Sequence, residues 1–375
     1  MSDLQPDKNT SVFPHTRIDR STWKRVRLGD VCEISKGEQL NRATLAEKGR
    51  IPVYNGGSSP SGYAEESNTA AESVIISEGG NSCGYVNFIH VPFWRGGHCY
   101  LVETDLDKSL LYYVLKANEP QIMSLRVGTG LPNIQRERLE AFEFDLPTDS
   151  TEQRQIVTTC ISIDTHITAL QALIAKYEAI KKATVNLLLK PKSGWRQISL
   201  GDIGDVLMCK RILKNQTTET GDVPFYKIGT FGRTPDAFIS RVLFDDFKAR
   251  FSYPQKGDVL LSAAGTIGRT IVFNGEDAYF QDSNIVWIDN DERIVTNRFL
   301  HVLYGQLDWQ TENGGTVSRL YNANIRNTRI AIPSLEEQKR IVAILNSING
   351  TISGLKSQLA KAQDIKQGMM AYFFG

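Results

Sequence analysis

The chain has 375 residues, 41% of them hydrophobic and 23% charged, enough for two ordinary globular domains with cores of their own. Its formal net charge is only +1, so bulk charge does not point to nucleic acid and any basic surface must be local. The five cysteines, at 32, 83, 99, 160 and 209, include no Cys-x-x-Cys pair, which argues against a disulfide framework or a structural zinc site and for a reducing cytoplasm.

In chain order, residues 1–20 are polar, lack an apolar signal segment and read as a tail. A first globule is expected over 21–150. It opens on Trp23-Lys24-Arg25-Val26-Arg27-Leu28-Gly29-Asp30-Val31, followed by Ile51-Pro52-Val53-Tyr54. Strand-like runs follow at Ser73 to Ser77, Tyr85 to His90 and His98 to Glu103, with a helical pattern from Ser109 to Ala117. From Glu152 to about Lys190, Ile156, Cys160, Ile163, Ile167, Leu170, Ile174 and Tyr177 recur at alternating spacings of four and three, the seam of a coiled coil. Ser150 with Gln153 reads as its capping box, and Pro191 as its stop. This places a spacer helix over 151–191. No apolar run approaches the ~18–20 residues of a membrane span, so no membrane partner is expected.

Then the pattern repeats. Trp195-Arg196-Gln197-Ile198-Ser199-Leu200-Gly201-Asp202-Ile203 restates the first opening at an offset of 172, as Val223-Pro224-Phe225-Tyr226 restates the strand after it. From Val259-Leu260-Leu261-Ser262 onward the offset is 185, so the second copy holds 13 extra residues, expected as a surface-loop insertion. Further strands are expected at Asp258 to Ser262, Thr270 to Asn274 and Ile285 to Asp289, and a helix from Thr296 to Trp309. A second globule thus spans 192–333. A second spacer helix, 334–375, opens on a Ser334–Glu337 box and carries Ile341, Leu345, Ile348, Ile352, Leu355, Leu359 and Ala362 at the matching seam positions. If the repeats are related by a pseudo-two-fold axis, the two helices run antiparallel. The expected fold is α+β: two similar globules separated by a two-helix coiled coil.

Loops rich in Gly, Ser and Asn are the candidate contact surface, because glycine admits a close partner and Ser, Thr, Asn and Arg bond phosphates or base edges. In the first globule they supply Asn55, Gly56, Ser58, Ser59, Asn81, Ser82 and Asn133; in the second, Lys227, Arg233, Thr234, Thr266, Arg269, Arg319 and Asn322. The same residue types also suit ordinary hairpin turns for backbone reasons. Charge adds nothing: residues 21–150 hold 13 Lys and Arg against 17 Asp and Glu, and 195–333 hold 16 of each.

Chemistry-bearing motifs are missing from the sequence. There is no Gly-x-x-x-x-Gly-Lys-Ser/Thr loop, no Gly-x-Gly-x-x-Gly after a strand and no Asn-Pro-Pro-Tyr-like stretch. His98-Cys99 has no further ligand at metal spacing, and neither Glu336-Glu337 nor Asp245-Asp246 has a partner base. No nucleophile–base set stands out, so no catalytic or metal residue is assigned.

The residues as a whole resemble the specificity subunits of type I restriction–modification enzymes. The resemblance rests on the twice-used Trp…Leu-Gly-Asp-Val/Ile opening, Ile51 to Gly57, Leu261 to Arg269, the two Glu-Gln-x-x-Ile-Val helix starts and Met369 to Gly375. It implies two target-recognition domains that each read one half of a bipartite, asymmetric site on double-stranded DNA. It also implies helices that set the gap and dock two methyltransferase subunits, joined by endonuclease/translocase subunits, in a prokaryotic cytoplasm. S-adenosylmethionine, ATP and Mg would belong to those partners, leaving this chain non-catalytic with no cofactor. Two other readings are a coiled-coil scaffold that does not touch DNA and a metabolic enzyme with duplicated lobes.

Overall fold

The computed structural model describes residues 20–41, 43, 45–128, 130, 132–309 and 319–375. The chain divides into two compact units, residues 1–173 with 355–375, and 174–354, so each unit holds one globule and one part of each long helix.

The two units repeat one topology. In the first, strand Lys24–Arg27 pairs antiparallel with Glu143–Leu146, closing the globule where the long helix begins. In the second, Arg196–Ser199 pairs antiparallel with Arg329–Ile332. Each globule then carries an antiparallel four-stranded sheet. Its order is Glu33–Lys36, Cys99–Glu103, Ser73–Ser77, Val86–Ile89 in one unit and Val206–Leu207, Ile285–Ile288, Val259–Ser262, Thr270–Val272 in the other. A three-stranded sheet completes it, with the Pro-containing strand (Ile51–Tyr54 or Val223–Tyr226) antiparallel to one neighbour and parallel to the other. Ser73–Ser77 and Val259–Ser262 are buried along their whole length, which is why they read as unbroken apolar runs rather than alternating ones.

The long helices span Ser150–Leu188, 39 residues, and Leu335–Phe374, 40 residues, roughly 58–60 Å each at ~1.5 Å per residue. The expected seam positions divide by burial. Ile156, Cys160, Leu170 and Ile174 are buried on the first helix and Ile341, Leu345, Ile352 and Ala362 on the second. Ile163, Ile167, Ile348, Leu355 and Leu359 are half-buried. In the first unit the start of one helix packs with the end of the other: Ile156 and Cys160 share a core with Met369, and Lys366 Nζ lies 2.5 Å from Asp164 Oδ1. In the second unit Val185 shares a core with Ile341 and Leu345. The helices are therefore antiparallel. One 18-residue window of the first helix, mean hydropathy 1.2, is apolar enough by length and composition to cross a membrane, yet only 17% of it is buried. Ile161, Leu173, Ile180 and Leu187 of this helix are exposed off the seam, and Asp164 on the same helix accepts a 2.9 Å bond from the Tyr113 hydroxyl.

Four local expectations are corrected. Asp149 rather than Ser150 caps the first helix, its Oδ2 accepting from the Glu152 amide at 2.9 Å, because Asp one residue earlier is an equally good cap and carries the charge the helix N-terminus favours. The second helix keeps only half of its box: Ser334 Oγ accepts from the Glu337 amide at 3.3 Å, while Glu337 turns to Lys192 at 3.2 Å. The 13-residue insertion is no plain loop, since its region folds a helix, Arg241–Arg250, capped by Ser240.

That helix explains how the second core differs. Phe244, 1% exposed, stacks edge-on to Tyr253 and Tyr279, and Phe247 packs beside Tyr279. Arg241 and Lys248 both bond Asp277 from the same helix, at 2.5 and 3.2 Å, and hold its carboxyl below the usual carboxylate range. The helix expected from Thr296 to Trp309 is shorter, Asn297–Tyr304, capped by Thr296 and ended at Gly305.

Candidate nucleic-acid interface

In the first unit three candidate loops are tied into one rim. The Gly56 carbonyl accepts bonds from the hydroxyls of Ser77 and, at 2.6 Å, Ser82. This joins the Asn55 loop to the Asn81 loop. Gly80 N donates to Pro132 O at 3.0 Å and Ile134 N to Glu78 O at 2.9 Å, which adds the loop ending at Asn133. Gly56 has φ +85°, and a Cβ there would stand 2.9 Å from the His98 carbonyl, so only glycine allows the crossing. Asn55 Oδ1 accepts from His98 N at 3.4 Å. Gly56, Ser82 and Asn55 thus build the rim, while Ser58, Ser59, Asn81 and Asn133 are exposed on it, their side chains unbonded among the described residues. A cleft of about 450 Å³ opens between Gln39 and the Asn55–Ser61 turn. Thr129 and Leu131 lie outside the described residues.

The second unit assembles its rim differently. The turn Gln281–Asn284 is the hub. Gln281 Oε1 accepts from Ile228 N at 2.9 Å, Asn284 O accepts from Ala263 N at 2.8 Å, and Ser283 O accepts from Arg319 NH2 at 3.1 Å. Arg269 NH1 donates to Phe231 O at 3.0 Å, bracing two of the loops. Arg269 and Arg319 are therefore partly buried braces, and Lys227 is engaged with Asp236 at 2.8 Å. Arg233, Thr234, Thr266 and Asn322 are exposed, with side chains unbonded among the described residues. Residues 310–318, including the loop from Asn313 to Ser318, lie outside the described residues.

The family model for the type I restriction–modification DNA specificity domain matches the chain twice, over residues 20–181 and 192–362. The chain belongs to the type I restriction–modification specificity subunits. It is 36% identical over 388 residues to a putative type I restriction enzyme specificity subunit of Haemophilus influenzae, covering 98% of each chain. It is 30% identical to a putative type I specificity subunit of Mycoplasma pneumoniae over 56% of this chain and 60% of that one. Its fold is similar to the crystal structure of a type I system S subunit from M. genitalium, with a TM-score of 0.67, 19% identity, and 96% and 99% of the two chains covered. A second solved chain, from work on assembly and conformational transition of a type I system, gives a TM-score of 0.57 at 18% identity, with 96% and 100% covered. DNA sequence specificity is the role of this family, and neither the scaffold nor the metabolic-enzyme reading agrees with it.

In this specificity subunit the rims also hold charged residues that the loop-based reading passed over. Glu78, 13% exposed, takes bonds from the Lys36 ammonium and from His98 Nδ1 at 3.3 Å, while both of those side chains stay at least half exposed. Asp282, 15% exposed, takes one from Arg211 Nε at 2.9 Å. In each unit a nearly buried acid holds an exposed base at the rim. The partners lie 42 and 71 residues apart in sequence, so no local motif announces them. A lone acid in a strand-end turn was the only available signal. The rim cysteines are not reactive thiolates, because burial pushes the Cys99 and Cys209 thiols up to about 12. Among the described residues no group of three or more His, Cys, Asp or Glu could hold a metal ion.

Proposed function

We propose that this subunit selects the DNA site for a type I restriction–modification complex, each globule reading one half of a bipartite, asymmetric duplex site. The observation that carries this is the duplicated rim: two units of one topology, each with its loops tied into one surface, present different side chains there. Unlike rims imply unlike half-sites. The long antiparallel helices set the gap between half-sites and dock two methyltransferase subunits, with endonuclease/translocase subunits joining that core. The chain is non-catalytic in this reading. S-adenosylmethionine, ATP and Mg are bound by the partners, and the flipped adenine enters a partner's pocket. Neutral overall charge suits this division, since partners that close around the duplex supply phosphate contacts. The complex works in the prokaryotic cytoplasm.

The test is to co-express the chain with its methyltransferase subunit and map methylated adenines genome-wide. A bipartite motif with a fixed gap is expected; the absence of any motif sinks the reading. Deleting one heptad from each long helix should shorten the gap while both half-sites persist, and an unchanged gap would refute the ruler.

A further inference from the structure

We propose that Arg211 is a specificity-determining residue of the second unit and reads a guanine through the major groove; this rests on the second globule being a recognition domain. Arg211 stands at the rim with its side chain 67% exposed, and its Nε donates to Asp282 Oδ2 at 2.9 Å. Asp282 sits in the Gln281–Asn284 turn, the hub to which the loops of Ile228, Ala263 and Arg319 are all bonded. The acid is itself restrained, because Ser283 Oγ donates to the same oxygen at 3.3 Å. The guanidinium is thus aimed from the one turn that every described loop of the rim converges on.

The chemistry selects the partner. With Nε occupied, the far edge of the guanidinium presents NH1 and NH2 as two parallel donors. Such a fork matches a pair of adjacent acceptors, and O6 and N7 of guanine are that pair in the major groove. A phosphate offers paired acceptors too, but it is an anion. The carboxylate beside Arg211 cancels the local charge, which weakens attraction for phosphate and leaves the directional hydrogen bonds intact. The other arginines of this rim differ. Arg269 and Arg319 spend donors on backbone carbonyls, and Arg233 is exposed with no partner among the described residues to fix its direction. Arg211 alone of these four is both held and open.

The experiment uses the full chain with its methyltransferase subunit and maps methylation for wild type, R211A, R211K and D282N. R211A should keep the first half-site and the gap but become degenerate at one G·C position of the second half-site, discrimination there falling by about ten-fold or more. R211K should relax the same position, because one ammonium cannot bond Asp282 and two coplanar acceptors together. D282N should relax it less. As a chemical check, 7-deazaguanine at that position removes N7; it should weaken duplex binding by the wild-type complex and leave that of R211A unchanged. An R211A motif identical to wild type overturns the assignment, as does uniform weakening at all positions, the mark of a phosphate contact. A wild type that gives a bipartite motif while R211A changes nothing refutes this assignment alone. A wild type with no bipartite motif refutes the recognition reading and this assignment with it.

Discussion

The two globules share the strand pairs that meet the long helices and differ most beneath their rims. In the first unit the core under the rim is small: Ile75, Ile89, Phe93, Cys99 and Leu101, with Tyr54 against them. In the second it is a large aromatic cluster built around Phe225, Phe231, Phe244, Phe273, Tyr279, Phe280 and Trp287. The helix Arg241–Arg250 supplies part of that cluster and has no counterpart among the described residues of the first unit. Divergence between the readers is therefore not confined to exchanged loop residues. The second rim stands on a rebuilt secondary core, while the strand pairs that close each globule at the helix start keep the same register.

The largest way to break this comparison is Phe244→Ala. Emptying a fully buried aromatic site should cost about 3–5 kcal/mol. Because the cluster is separate from the core at the helices, hydrogen exchange should accelerate over 223–287 and stay unchanged over 51–103. Equal acceleration in both segments would show that the aromatic cluster is not a local device of the second unit.

That helix also marks where the sequence stopped being legible. Ser73–Ser77 is readable to the residue because a fully buried strand is a bare apolar run. The seam is readable because a/d spacing persists for many turns in two copies. The Arg241–Arg250 helix hides its apolar face among Arg, Asp and Lys, although Ser240 as a cap, the Phe244/Phe247 pair and the Asp246–Arg250 ion pair at i,i+4 were available signals. The rim residues split for a physical reason. Gly, Ser and Asn in a loop look alike whether they tie loops together, as Gly56 and Ser82 do, or face outward, as Ser58 and Asn81 do. Only the long-range partner decides between these, and local sequence carries no trace of it. Glu78 and Asp282 were missed for the same reason.

A smaller difference lies where the first globule meets its helices. Asp164 bonds both the Tyr113 hydroxyl and Lys366, and with burial its charge holds the Tyr113 hydroxyl well above the usual tyrosine range. At the matching place on the second helix stands Asn349, 185 positions on, and the lysine matching Lys366 is Lys181. Asp164→Asn should cost the first unit about 1–2 kcal/mol through the lost charge-assisted bonds. Asn349→Asp should leave the second unit within about 0.5 kcal/mol, as expected of an exposed site. Thermal melts of both variants check the pair, and equal costs would remove the asymmetry.

The finest contrast is between the two opening tryptophans. Trp23 Nε1 donates to Glu152 Oε1 at 3.1 Å. Trp195 occupies the same place in the repeat, but the matching acid, Glu337, is held by Lys192, and the buried Trp195 Nε1 has no bonding partner among the described residues. A satisfied donor and an orphaned one at equivalent positions make opposite predictions for the same change. Trp23→Phe gives up a bond and should cost about 1 kcal/mol, whereas Trp195→Phe removes an unpaired buried N–H and should be near neutral or stabilising. Both substitutions remove the same ring atoms, so the packing loss cancels in the difference between them. A Trp195→Phe variant that loses as much stability as Trp23→Phe would mean the Trp195 indole finds a partner in solution, with Lys192 yielding Glu337 to it. In that case the two helix starts would be equivalent in this bond.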